Sequence, residues 1–288
     1  MNVPPSTPVV LALDFGGTKT ALTVADRHGT RLCDLTVETA AERGARAGLH
    51  RAVGAARTLL DGREPVAVGV STAGIPGAEG VALAPNIPGW EDLALGHELT
   101  LEFPESEIRL ATDVKAAARH ECDAGALKGC DPGLYVNLGT GLAVAVVAGG
   151  RVLTGRHGAS GEIGYNLRTV ADVGRGSGER IPLEDVVSGK ALSRAAHTTG
   201  STELADHIKE FIDELAFHLV NLAIAVDPQR IAVGGGMVRS WDALHAPLRT
   251  ALDAAVPYPP DLVPAAHPYD APLLGALALA VEAARTGT

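Results

Sequence analysis

The stretch from Asp14 to Lys19, DFGGTK, places a carboxylate, two glycines, a hydroxyl and an ammonium next to one another. Apolar runs at 9–13 and 21–24 flank it, which predicts a strand, a tight turn and a second strand. Glycines allow left-handed backbone and let a ligand approach the bare main chain. We expect the turn to bind a phosphate and Asp14 to serve a metal ion or water. An ordinary glycine hairpin explains the same pattern.

A second strand–glycine–strand pattern occurs in the other half of the chain. The apolar run 134–138 leads into Gly139, Thr140 and Gly141, and another apolar run follows at 142–148. Because both halves share this order, we interpret the chain as a duplicated domain with two phosphate-binding hairpins. Neither turn matches the GxxxxGK[ST] pattern of a Walker loop.

Length and composition favour a soluble enzyme of one large or two modest domains. The chain has 288 residues, close to the size at which a single core divides. Its net charge of −10 argues against binding to nucleic acid. Three scattered cysteines without a CxxC pattern indicate neither a disulfide framework nor a cysteine zinc site. We expect no signal peptide, no membrane span and a cytoplasmic location.

The hydrophobic pattern positions the two turns between strands. In the first half it predicts strands at 9–14, 20–26, 32–38, 66–71 and 108–111 and helices at 45–60 and 115–127. In the second half it predicts strands at 134–138, 142–148, 151–154 and 231–233 and helices at 183–188, 190–198, 203–226, 237–254 and 272–285. The stretch 257–268 is interpreted as a proline-rich connector.

Eight motifs in a fixed order resemble the ROK family (repressors, open reading frames and sugar kinases) of the actin/hexokinase/Hsp70 superfamily. They are DFGGTK at 14–19, GIPG at 74–77, NIPGW at 86–90, TDVKAAA at 112–118, LGTG at 138–141, ASGEIGY at 159–165, LEDVVSG at 183–189 and VGGGM at 233–237. Each motif is weak alone, but the ordered set spans nearly the whole chain.

The resemblance implies an α/β fold with two ribonuclease-H-like domains, of the actin-like ATPase type, around a central cleft. Residues 1–114 and 271–288 are expected to form the smaller N-terminal domain, with the last helix returning to it. Residues 115–270 are expected to form the larger C-terminal domain. ATP would lie across the floor of the cleft with Mg²⁺, and domain closure would exclude water from the transferred phosphoryl group.

The resemblance also assigns the nucleotide-binding residues. The phosphate-binding positions are Gly16, Gly17, Thr18 and Lys19 in the first hairpin and Gly139, Thr140 and Gly141 in the second. Asp14 is expected to reach Mg²⁺ through water. The positions on the adenosine side are Gly234, Gly235 and Gly236, for which a plain strand-to-helix turn is the alternative.

Asp113 matches the catalytic aspartate of the family, which would accept the proton of an attacking hydroxyl. Its alternative role is a helix N-cap, because an alanine-rich helix follows. The implied sugar-binding residues are Gly74, Asn86, Asp113, Glu162, Tyr165 and Glu184. Glu184 has a second interpretation as an acidic residue that begins a helix.

Three departures from the family pattern concern the acceptor region. The usual CxCGxxGCxE zinc motif is replaced by DVGRGSGERIPLE, so we expect no structural zinc. Tyr165 stands where the family has a histidine that contacts sugar and zinc. Lys115 stands where asparagine is usual, either as an exposed first-turn lysine or as a contact to the substrate or Asp113.

These residues predict an ATP-dependent kinase that phosphorylates a primary hydroxyl of a hexose or hexose-like substrate: glucose, an amino sugar or a cyclitol. The alternative is a non-catalytic sugar-binding or regulatory ROK protein without a DNA-binding domain. A repressor is disfavoured because only eight residues precede the first predicted strand. We expect a homodimer that binds neither nucleic acid nor membrane.

Overall fold

The computed structural model describes residues 8–84 and 87–286. The chain up to Ala124 forms β1 Val9–Phe15, β2 Lys19–Asp26, β3 Arg31–Glu38, α1 Ala45–Leu60, β4 Pro65–Thr72, β5 Ile75–Pro76, β6 Val81–Ala82, α2 Leu95–Glu102, β7 Glu107–Thr112 and α3 Asp113–Ala124. The rest forms β8 Gly133–Leu138, β9 Leu142–Ala148, β10 Arg151–Val152, α4 Gly189–Thr198, α5 Ser201–Val226, β11 Arg230–Gly234, α6 Trp241–Ala255, β12 Asp261–Pro264 and α7 Ala271–Thr286.

The chain divides into two compact units. Unit 1 contains the chain through His120 and again from Asp270, and unit 2 contains Glu121–Tyr269. The first boundary therefore lies within α3, later than the expected division after residue 114. The second lies one residue before the expected division at 270.

The sheet of unit 1 has the strand order β3-β2-β1-β4-β7. The pairs β1–β2 and β2–β3 are antiparallel, whereas β1–β4 and β4–β7 are parallel. Since parallel strands end at the same edge of a sheet, Asp14 near the end of β1 and Asp113 just after β7 lie at one edge.

Both faces of β1 are covered, so its sequence is an apolar run rather than an alternating one. Leu11 and Leu13 belong to the core beneath α1, whereas Val10 and Ala12 belong to the core beneath α7. Helix α7 approaches the sheet so closely that a Cβ at Gly69 of β4 would lie 1.9 Å from the Ala276 carbonyl oxygen.

Unit 2 repeats the topology with the strand order β10-β9-β8-β11-β12. Its first three strands are antiparallel neighbours, and β8–β11 and β11–β12 are parallel. Residues of β8, β9 and β11 share a core with α5 and α6. The predicted α/β fold with ribonuclease-H-like strand order is confirmed in each unit.

Four elements were missed: the two-residue strands β5 and β6, strand β12 and helix α2. Strand β12 lies inside the stretch interpreted as a proline-rich connector, and that interpretation is wrong. Proline is tolerated there because β12 is an edge strand, where a missing N–H removes no ladder bond. Helix α2 was missed because it is short and buries only Leu95 and Leu99.

Candidate active site

The first phosphate hairpin, residues 16–19, joins β1 to β2. The Gly16 N–H donates to the Lys19 carbonyl at 3.0 Å, and the Thr39 hydroxyl donates to the Gly16 carbonyl at 2.7 Å. Gly16 does not adopt a left-handed φ, so the conformational reason that we expected for it is wrong. Space explains the residue instead, because a Cβ at Gly16 would lie 2.8 Å from the Lys19 carbonyl oxygen. Thr18 and Lys19 are exposed.

Asp14 is partly exposed and accepts a hydrogen bond from the Ser71 hydroxyl at 2.8 Å. Its pKa is raised from 3.8 to about 7. Loss of contact with water is the largest cause, and the negative charges of Asp113 and Asp270 add to it, against the hydrogen bond from Ser71. At neutral pH the Asp14 carboxyl of unit 1 is therefore close to half-protonated.

Asp113 is the first residue of α3 and is partly exposed. Its Oδ1 accepts the Val114 N–H at 2.7 Å. The Thr112 hydroxyl accepts the Lys115 N–H at 3.3 Å, which is the bond that an N-cap residue makes. Thr112 therefore caps α3, and the N-cap interpretation of Asp113 is wrong.

Lys115 is buried, with 5% of its surface exposed. Its Nζ lies 3.5 Å from the Thr112 hydroxyl oxygen. The interpretation of Lys115 as an exposed first-turn lysine is therefore wrong. Its ammonium lies beside the residue that caps the helix of Asp113.

The loop after β4 begins at Gly74, which requires glycine for two reasons. Its φ is +86°, a left-handed value that side chains disfavour. A Cβ at this position would also lie 2.6 Å from the Ala84 Cβ. Asn86, the other predicted sugar-binding residue of unit 1, lies outside the described residues.

Trp90 contacts the ends of the two strands that lead into this loop and into the first phosphate hairpin, a role that sequence analysis missed although its motif contained the residue. Its indole is 1% exposed, and its N–H donates to the Thr72 hydroxyl at 3.0 Å. The ring lies 5.4 Å from that of Phe15, directly before the hairpin. The Trp90 carbonyl accepts the Val81 N–H at 3.0 Å. The Trp90 side chain thus contacts the last residue of β1 and the last residue of β4, directly before the two predicted ligand-binding loops of unit 1.

The second phosphate hairpin joins β8 to β9 in unit 2. The Gly139 N–H donates to the Gly141 carbonyl at 3.1 Å, and the Gly189 N–H donates to the Gly139 carbonyl at 2.8 Å. Thr140, at the tip, is exposed. The first residue of α4 therefore holds the base of the turn at Gly139, away from the tip at Thr140.

The predicted acceptor residues of unit 2 lie beside this hairpin. Glu184 Oε2 accepts the Leu142 N–H at 2.9 Å. Glu162 precedes a short 3₁₀ helix, Ile163–Tyr165, and Tyr165 keeps 38% of its surface exposed. Burial raises the pKa of Tyr165, and the negative charges of Glu184 and Glu162 raise it further. The charges of both carboxylates thus act on the phenol.

The three glycines at the end of β11, Gly234, Gly235 and Gly236, differ in what they require. A Cβ at Gly234 would lie 2.1 Å from the Tyr135 hydroxyl oxygen, so only glycine leaves room for the Tyr135 side chain. Gly235 has a φ of +88°, and a Cβ there would lie 2.6 Å from the Leu138 carbonyl oxygen, next to the GTG turn. A Cβ at Gly236 would meet nothing within 4 Å. Only the middle glycine therefore combines a special conformation with close approach to the hairpin.

Unit 1 brings together Asp14, its hairpin and Asp113, and unit 2 brings together its hairpin, Glu184 and the Ile163–Tyr165 turn. Over residues 8–84 and 87–286, no three His, Cys, Asp or Glu side chains are placed to hold a metal ion together. None of the described helices is long and apolar enough to cross a membrane.

The chain is similar to several sugar kinases. It is 28% identical to a glucokinase of Thermotoga maritima over 83% of this chain and 86% of that protein. It is 30% identical to a kanosamine kinase of Amycolatopsis mediterranei over 80% of this chain and 81% of that one. A solved ROK glucokinase of Streptomyces griseus, in complex with glucose and AMPPNP, matches 95% of this chain and 99% of its own at 25% identity, with a TM-score of 0.77. The ROK family model matches residues 10–283, and the chain therefore belongs to the ROK family.

Proposed function

We propose that this chain is an ATP-dependent sugar kinase that phosphorylates a primary hydroxyl of a hexose or hexose-like acceptor, with Asp113 as the general base. The observation that carries this proposal is the placement of Asp113 and Asp14 at one edge of the unit 1 sheet, beside a glycine hairpin. The similarity to proteins named glucokinase and kanosamine kinase supports the activity. The AMPPNP complex of a similar ROK glucokinase supports ATP as the donor.

Asp113 has the surroundings that a general base needs. Its carboxylate is partly exposed, so a hydroxyl can reach it, and the Val114 N–H fixes one oxygen at 2.7 Å. This bond orients the carboxyl group, and an ionised carboxylate is the form that accepts a proton. The acceptor hydroxyl would lose its proton to Asp113 as its oxygen attacks the terminal phosphorus of ATP.

The two hairpins would hold the phosphates of ATP. Exposed side chains are available at Thr18 and Lys19 in unit 1 and at Thr140 in unit 2. Phosphoryl transfer depends on positioning and on charge stabilisation more than on covalent chemistry by the protein. The Lys19 ammonium would offset negative charge on the phosphate oxygens, and Gly235 would lie on the adenosine side.

Asp14 fits a role toward Mg²⁺. The carboxyl keeps its proton up to a pKa of about 7 because it is withdrawn from water and lies near two other carboxylates. Carboxylate oxygen and water are the ligands that Mg²⁺ prefers, and a cation would relieve this repulsion. Mg²⁺ bound with ATP would supply charge neutralisation on the phosphates. Asp14 would hold it through water.

The proposed acceptor ligands are Gly74, Asn86, Glu162, Tyr165 and Glu184. Each sugar hydroxyl needs a partner once it leaves water, and carboxylate and phenol groups provide them. Tyr165 in place of the family histidine favours an acceptor other than plain glucose, such as an amino sugar or a cyclitol. We also propose a homodimer, a cytoplasmic location and, given the net charge of −10, no role in nucleic acid binding.

Release of ADP from Mg-ATP tests the proposal. The acceptors would be glucose, mannose, N-acetylglucosamine, N-acetylmannosamine, glucosamine, kanosamine and a valiolone-type cyclitol. We expect turnover with at least one of them and a phosphorylated primary hydroxyl in the product. Binding of AMPPNP and of an acceptor without any turnover would instead support the alternative function, a non-catalytic sugar-binding protein.

A further inference from the structure

The carboxylate of Glu184 fills a space that two glycines leave open. A Cβ at Gly141, the last residue of the second hairpin turn, would lie 2.3 Å from Glu184 Oε2. A Cβ at Gly164, in the turn that carries Tyr165, would lie 3.2 Å from Glu184 Cβ and 3.4 Å from Oε2. Glu184 therefore packs between the phosphate hairpin and the turn assigned to the acceptor.

Glu184 also makes a directed bond to the hairpin. Its Oε2 accepts the main-chain N–H of Leu142, the residue after the turn, at 2.9 Å. Hydrogen bonds to an ionised acceptor are about twice as strong as those between neutral groups. The Gly189 N–H holds the other end of the turn at the Gly139 carbonyl. Together these two bonds fix both arms of residues 139–141.

We propose that Glu184 is a positioning residue for the phosphate-binding turn, in addition to its proposed contact with the acceptor. This inference rests on the proposed function, because it takes residues 139–141 to bind the phosphates of ATP. A carboxylate that only contacted sugar would not influence nucleotide affinity while the acceptor is absent. A carboxylate that orders the turn influences that affinity whether or not an acceptor is bound.

Calorimetric titration of Mg-AMPPNP into acceptor-free protein distinguishes the two roles. We expect Glu184→Ala to weaken AMPPNP binding about tenfold, because the Leu142 N–H loses its partner. Glu184→Gln keeps an amide oxygen as the acceptor and should stay within about threefold of the wild type. The matched controls are Glu162→Ala and Glu162→Gln. Glu162 is another proposed acceptor ligand, and both changes should leave AMPPNP affinity within about twofold.

A second variant tests the same contact without removing the carboxylate. Gly141→Ala places a methyl group against Glu184 Oε2 and should weaken AMPPNP binding in the wild-type background. In the Glu184→Ala background the same change should cost much less, because the obstructing oxygen is gone. If Glu184→Ala does not fold, Glu184→Asp takes its place as the background, because its shorter side chain also withdraws the obstructing oxygen from Gly141.

Wild-type affinity for AMPPNP in Glu184→Ala, or equal effects of Gly141→Ala in both backgrounds, would overturn the positioning role and leave the kinase proposal standing. Failure of the wild-type protein itself to bind Mg-AMPPNP would overturn both. The positioning role is supported if Glu184→Ala weakens AMPPNP binding, Glu184→Gln restores it, and the two Glu162 controls leave it unchanged.

Discussion

The Ser71 hydroxyl donates a hydrogen bond to the Asp14 carboxylate at 2.8 Å, between adjacent parallel strands of the unit 1 sheet. Ser71 is fully buried, so the bond is protected from competing water. It lowers the pKa of Asp14, but burial of the carboxyl outweighs it. Asp14 is therefore held in position by a fixed donor, while burial and not that bond makes its carboxyl easily protonated.

This arrangement makes stability depend on pH in a definite direction. The pKa of Asp14 rises from 3.8 in the unfolded chain to about 7 in the folded one, so folding favours the protonated form. The stabilisation is complete below pH 4 and is lost as the pH rises through about 7. Asp14→Asn cannot ionise and should be more stable than the wild type at pH 8 by about 2 kcal/mol. Partial exposure discounts the roughly 4 kcal/mol that the full shift implies.

Urea denaturation in a chelating buffer at pH 4.5, 6 and 8 measures this difference. The advantage of Asp14→Asn should shrink as the pH falls. If the two proteins lose stability in parallel from pH 4.5 to pH 8, the raised pKa of Asp14 is wrong.

Trp90 should stabilise unit 1 more than its size alone implies. Trp90→Phe removes the donor to the Thr72 hydroxyl and part of the contact with Phe15, which we expect to cost about 2 kcal/mol. Trp241→Phe is the matched control, because Trp241 is only partly buried and should cost less than about 1 kcal/mol. Urea denaturation compares them, and equal losses would show that the contacts of Trp90 with Thr72 and Phe15 add no special stability.

Because His218 is buried, we expect unit 2 to lose stability at acidic pH. His218 is 5% exposed, its Nδ1 lies 3.2 Å from Asn166 Nδ2, and its Nε2 lies 3.9 Å from Glu214 Oε2. Burial lowers its pKa, the Arg168 charge lowers it further and Glu214 opposes both. The unfolded chain therefore binds a proton first, and folding free energy is lost as the pH falls below 6.5.

His218→Gln removes this titration and should flatten the dependence of stability on pH between 7 and 5. The slope is the informative quantity, because the substitution also changes packing. Identical slopes for the variant and the wild type would exclude a lowered pKa at His218.

Tyr165→Phe tests the acceptor site without disturbing the nucleotide site. The phenol lies near Glu162 and Glu184, whose charges raise its pKa. If its hydroxyl bonds the acceptor, Tyr165→Phe should raise the KM for the acceptor about tenfold and leave the KM for ATP within about twofold. Steady-state kinetics with each substrate varied in turn provides the measurement. An unchanged acceptor KM would remove Tyr165 from the acceptor site.

Local pattern was enough to predict the two hairpins, since each joins strands whose apolar runs are long and whose turns contain glycine. It did not predict the burial of Lys115, because a charged residue in a first helical turn is usually exposed and only tertiary packing places it inside. The bond from Leu142 to Glu184 joins residues far apart in sequence. No periodicity or spacing carries that information.

The reason for each glycine was also only partly predictable. Gly74 needs its left-handed backbone, as a glycine before a turn suggests. Gly16 and Gly234 are glycines because of atoms contributed by Lys19 and by Tyr135. Such contacts follow from strand register and packing, which the order of residues alone does not specify.

The most direct test of the account is the rate of phosphoryl transfer by Asp113→Asn, measured under single-turnover conditions with the best acceptor. Asparagine keeps the size of the side chain and can still accept the Val114 N–H, but it cannot take a proton. We predict a rate at least about 10²-fold below that of the wild type, with the affinities for AMPPNP and acceptor within about threefold. Transfer at the wild-type rate by Asp113→Asn would contradict the assignment of Asp113 as the general base.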